Sequence, residues 1–85
     1  MNNKARHIRE RFPDKSHIID LLMAEDSEFL TLCEDYDVCV YALRYWAKSK
    51  EPEANTRVDE YHTLVRELEE EIAQALEALK SRRLD

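Results

Sequence analysis

Two apolar seams constrain what this chain can fold into. Phe29, Leu32, Tyr36, Cys39, Leu43 and Trp46 recur at alternating steps of three and four. Val58, Tyr61, Val65, Leu68, Ile72, Ala75 and Leu79 repeat that rhythm. Such steps line side chains along one stripe of an α-helix. A polar stretch holding Pro52 separates the two stripes, and no glycine interrupts either one. The expected fold class is all-α: a long antiparallel helical hairpin preceded by a short N-terminal helix.

The boundaries follow from local chemistry. Pro13 suits a first helical turn and Asp14 favours its positive end, which predicts a short helix over about 13–24. Its apolar positions are Ile18, Ile19, Leu21, Leu22 and Met23. Glu25-Asp26-Ser27-Glu28 reads as a stop and restart, with Asp26 or Ser27 capping the next helix. That helix is expected over about 27–49. It is acidic at its start (Glu28, Glu34, Asp35, Asp37) and basic at its end (Arg44, Lys48, then Lys50), which matches the macrodipole. Pro52 removes a backbone donor and restricts Glu51, so the helix stops before it. Asn55 or Thr56 is expected to cap a third helix running to about 82, Thr56-x-x-Asp59 resembling a capping box. Folding back sets Lys80, Arg82 and Arg83 beside the acidic start of the second helix, and Asp59 and Glu60 beside Arg44, Lys48 and Lys50. Each such exposed pair contributes less than ~1 kcal/mol, so their expected role is to specify direction. Residues 1–11 are basic and lack an apolar period, which predicts a flexible arm ahead of a single helical-hairpin domain over 12–83.

The stretch from Phe12-Pro13 through Phe29-x-x-Leu32 to Leu68-Glu69-Glu70-Glu71-Ile72 resembles the YdcH-like family of small bacterial domains of unknown function. The resemblance covers roughly residues 12–79. It implies a Phe-Pro helix, a capped Phe-x-x-Leu helix start, here Asp26-Ser27-Glu28-Phe29-Leu30-Thr31-Leu32, and a long antiparallel hairpin. It implies no catalytic residues. The chain differs from the family's pattern at Tyr36, where that pattern carries His, and in having few lysines ahead of Leu68.

Composition narrows the function classes. A hairpin of 85 residues buries a thin core, and chains of this size commonly need a disulfide, a metal or another chain. Cys33 and Cys39 lie six residues apart on one predicted helix, a rise of about 9 Å, beyond the ~7 Å reach of a disulfide. Unpaired thiols suit a reducing cytoplasm. His7, His17, His62, Cys33 and Cys39 share no ligand spacing, so no metal or cofactor is expected. No run approaches the ~20 apolar residues of a membrane span. Lys4, Arg6, Arg9 and Arg11 are followed by no apolar core of a signal peptide, so none is expected. The net charge of −6 disfavours nucleic acid, leaving only the basic arm to engage phosphates. Glu69, Glu70 and Glu71 are consecutive and point apart, and a hairpin without glycine loops offers no evident pocket, so no enzyme is expected.

One feature points to a partner. Val38, Tyr41 and Tyr45 form a second apolar stripe, roughly opposite the first. A helix that is apolar on two sides needs cover on both. A short first helix, packed back from Asp26, reaches only to about residue 38 or 39. The expected interface is therefore Val38, Tyr41, Ala42, Tyr45 and Trp46, and the expected partner is a second copy of the chain in a homodimer. A helix of a different protein is the alternative occupant. Arm-mediated binding of nucleic acid or an anionic surface is a third possibility.

Overall fold

The apolar periods become four helices in the computed structural model, which describes residues 5–84, with side chains described for 5–81. The helices are α1 (Arg6–Arg11), α2 (Ser16–Glu25), α3 (Ser27–Lys48) and α4 (Ala54–Leu84), with a 3₁₀ turn at Pro13–Lys15 between the first two. No strand occurs among the described residues. The fold is all-α, and the α3–α4 hairpin supplies its main packing. Tyr36 and Glu69, bonded across the hairpin, lie nearly equally far from the turn at Pro52, as antiparallel helices require. At 31 residues, α4 is about 46 Å long and dominates the 52 Å long axis of the molecule. No helix among the described residues is long and apolar enough to cross a membrane.

Asp26 caps α3 as its position predicts. Its Oδ1 accepts from the Glu28 and Phe29 amides at 2.9 and 3.3 Å. The next boundaries differ from expectation. α3 closes at Lys48, one residue early. α4 opens at Ala54, so Asn55 and Thr56 lie inside its first turn. The turn after Pro52 is already wound: the Ala54 amide donates to Glu51 O, and Arg57 donates to Glu53 O. The Pro13 region is a 3₁₀ turn, and regular α-helix begins only at Ser16.

Residues 6–11 correct the expectation of a flexible arm; Met1–Lys4 lie outside the described residues. α1 is a docked helix with Ile8 fully buried and Ala5 packed in the core beside it. Its flanking charges are engaged too. The His7 amide and Nδ1 reach Asp37 Oδ1 at 3.3 and 2.9 Å. Arg9 meets Asp20 Oδ1 at 2.6 Å, and Arg11 Nε meets Glu69 Oε2 at 3.3 Å. One apolar residue among polar ones has no period, yet one fully buried isoleucine with three polar anchors, His7, Arg9 and Arg11, holds a short helix in place. The Arg9–Asp20 and Arg11–Glu69 ion pairs tie this segment to α2 and α4; the side chains of Arg82 and Arg83, expected beside the acidic start of α3, lie outside the described residues.

The core is one cluster: Ala5, Ile8, Ile19, Leu22, Phe29, Cys33, Tyr36, Val40, Val65, Ile72, Leu76 and Leu79. On α3 the buried line is Phe29, Cys33, Tyr36 and Val40, while Leu32, Cys39 and Leu43 are partly buried beside it. Burial is thus rotated from the predicted seam. The cause is that α1 and α2 both pack on α3, drawing Cys33 and Val40 inward.

Candidate interaction face

The side of α3 turned away from the core is apolar in its second half. Val38 is 66% exposed, Tyr41 75% and Tyr45 55%. Of the other two predicted interface residues, Ala42 and Trp46 are half-buried. Tyr45 and Trp46 stack edge to face, with ring centroids 5.1 Å apart and planes at 84°. Along the sequence this band is bounded by exposed Asp35 on one side and exposed Lys48 on the other. The N-terminal segment does cross α3 beyond residue 37, since His7, Glu10 and Arg11 share a shallow cleft with Val40 and Arg44. Even so, it leaves Val38, Tyr41 and Tyr45 uncovered.

Sequence periodicity missed Leu64. It is 43% exposed, and it joins Val38, Cys39 and Leu68 in lining an open groove of about 320 Å³ between α3 and α4. The carboxylates of Asp35, Glu67 and Glu71 complete that lining. The available signal was the spacing Leu64, Leu68, Glu71 and Ala75, a second edge running beside the α4 seam. Val38 therefore belongs both to the α3 band and to the groove.

Behind this face lies a polar clamp. Tyr36 Oη donates to Glu69 Oε2 at 2.6 Å, the same oxygen that Arg11 approaches. Burial and that bond push the Tyr36 phenol above its ordinary value. Burial, with the Asp37 carboxylate adding to it, pushes the Cys33 thiol up to about 12 from its ordinary 9.0. The Cys39 thiol is raised by burial and by Asp35. Both cysteines are free. Held as neutral thiols, they are poor nucleophiles and poor ligands at neutral pH. Among the described residues, no three His, Cys, Asp or Glu side chains converge as a metal site would require.

The chain is thus all-α, with an exposed aromatic face on one helix. No family model, curated protein or solved structure matches it.

Proposed function

We propose that this protein is a non-enzymatic, cytoplasmic helical interaction module that self-associates through the outer face of α3. One observation carries the reading. The large apolar side chains left exposed among the described residues are Val38, Tyr41, Tyr45 and Leu64, and three of the four share one face of one helix. Apolar residues scattered singly over a surface need no explanation, but a grouped apolar patch marks an interaction site. Tyrosine suits such a site, since it contributes a large ring and a polar tip. The thin core of a chain this small adds to the argument, because a second copy supplies extra burial.

The resemblance to YdcH-like hairpins, which implies no catalytic residues, supports the same class of protein. The arm-mediated alternative is weakened by how the arm's charges are used. Arg9 and Arg11 already hold Asp20 and Glu69, and Arg6 lies 3.6 Å from Glu10. A helix of another protein would use the same face of α3.

The test is analytical ultracentrifugation with circular dichroism on wild type and the Tyr41→Glu, Tyr45→Glu double variant. Wild type is expected to associate at micromolar concentration. The variant is expected to remain monomeric and keep most of its helicity, because two carboxylates would have to be buried at the interface. A wild type that stays monomeric at high micromolar concentration overturns self-association.

A further inference from the structure

The α3–α4 hairpin has two sides, and α1 and α2 cover one of them. α1 docks there through buried Ile8 and through one carboxylate from each hairpin helix. Asp37 on α3 meets His7 at 2.9 Å, and Glu69 on α4 meets Arg11 at 3.3 Å. α2, tied to α1 by the Arg9–Asp20 pair, packs against both hairpin helices. Two positions along a helix turn a side chain by about 200°. Asp35 therefore stands across α3 from Asp37, and Glu67 and Glu71 stand across α4 from Glu69. These three exposed carboxylates line the open groove together with Leu64, Leu68 and Cys39.

We infer that this groove receives a basic amphipathic helix of another protein. It is a second surface beyond the self-associating face of α3: Val38 borders both, while Tyr41 and Tyr45 lie outside the groove. The covered side supplies the pattern. There a helix turns an apolar residue toward the hairpin and reaches a carboxylate on each hairpin helix with a nitrogen group. The open side repeats those carboxylates around its own apolar floor. Every charged side chain lining the groove is acidic, so two copies seated groove to groove would oppose like charges, as would an acidic helix. The chain's own basic helix, α1, is already docked on the other side, with Ile8 fully buried. Glu67 and Glu71 lie one turn apart, about 6 Å along α4. The fitting helix therefore carries an apolar ridge for the floor and two Lys or Arg side chains one turn apart along the flank facing Glu67 and Glu71. A further Lys or Arg on its opposite flank faces Asp35.

Fluorescence anisotropy with a labelled synthetic peptide at low salt tests this. The probe is about three heptads long, with leucine at both apolar positions and lysine on the flanks, and its reference carries glutamate in place of lysine. The lysine peptide is expected to bind wild type at micromolar concentration, and the glutamate peptide at least about tenfold more weakly. Glu67→Lys combined with Glu71→Lys is expected to weaken lysine-peptide binding about tenfold. Glu70→Lys combined with Glu77→Lys changes the net charge equally, at exposed sites outside the groove, and is expected to stay within about threefold of wild type. Circular dichroism is the fold control, and sedimentation reads self-association separately. Equal losses in the two double variants would trace binding to general acidity and overturn the groove. A lysine peptide that does not bind wild type would overturn it too. Loss of peptide binding in Tyr41→Ser would move the peptide onto the outer face of α3, overturning the groove while that face stands.

Discussion

The inner and outer faces of α3 carry similar side chains with opposite fates. Tyr36 and Tyr41 differ by five positions, yet one is buried and bonded to Glu69 while the other stands 75% exposed. Val40 and Val38 are two positions apart and divide in the same way. Residue type does not separate the faces; what packs against each side does. α1, α2 and α4 all converge on one side of α3 and leave the other without cover. A single helix can therefore stabilise its own chain on one face and offer an aromatic surface to a second chain on the other. That division can be tested one substitution at a time.

The largest effect is expected at the start of the inner face. Phe29 is nearly fully buried, and Phe29→Ala removes a ring from a core with little to spare. The expected loss is about 3–5 kcal/mol, a large share of the ~5–15 kcal/mol typical of a folded domain. Urea unfolding followed by circular dichroism measures it. A variant as stable as wild type would mean that α3 is held by some other face.

The polar clamp should follow at roughly half that size. Tyr36→Phe keeps the ring and deletes the hydroxyl that donates to Glu69. A hydrogen bond to a charged acceptor contributes about 1.5–3 kcal/mol, and Arg11 remains to compensate part of that loss. The same face sets an alkaline limit. The Cys33 and Tyr36 acid groups both have raised values in the fold, so the folded state holds their protons more tightly than the unfolded chain does. Their contribution is complete below pH 9 and is lost as pH rises from there toward 12. Thermal melts across that range should show stability falling, and Tyr36→Phe should make the fall shallower. Stability that rises with pH there would contradict the burial of both groups.

Next comes the cap that starts α3. Asp26→Ala leaves the Glu28 and Phe29 amides without their side-chain acceptor, and about 1 kcal/mol of stability is expected to go with it. Asp26→Asn should recover most of that loss in the same urea titration.

What the sequence disclosed tracks how local each cause was. The hairpin was legible because its seams repeat over many turns. The Asp26 cap was legible because its partners lie two and three residues away. The exposed stripe was legible because Val38, Tyr41 and Tyr45 obey the same arithmetic as the core. α1 was hidden, since Ile8 is a lone apolar residue and its anchors Asp37 and Glu69 are distant in sequence. The rotation of burial toward Cys33 and Val40 was hidden for the same reason: it depends on α1 and α2 docking on α3, which no period along α3 records. Leu76, nearly fully buried one position beyond Ala75, marks a similar rotation on α4.

The smallest effect on the folded monomer, and the sharpest contrast, is expected at Tyr41. Tyr41→Ser exchanges residues of similar helix propensity, so the helix itself is not penalised. The ring is 75% exposed and far from the core line, and surface substitutions of this kind stay within about 0.5 kcal/mol. Tyr45 is a less clean probe, because its ring also rests edge-on against Trp46. In dilute solution the Tyr41→Ser variant should melt with wild type. At high protein concentration the two should part: association stabilises wild type by mass action and raises its melting temperature, while the variant's stays fixed. If Tyr41→Ser costs as much as Tyr36→Phe in dilute solution, the outer face belongs to the intrachain core, and the division between the two sides of α3 fails.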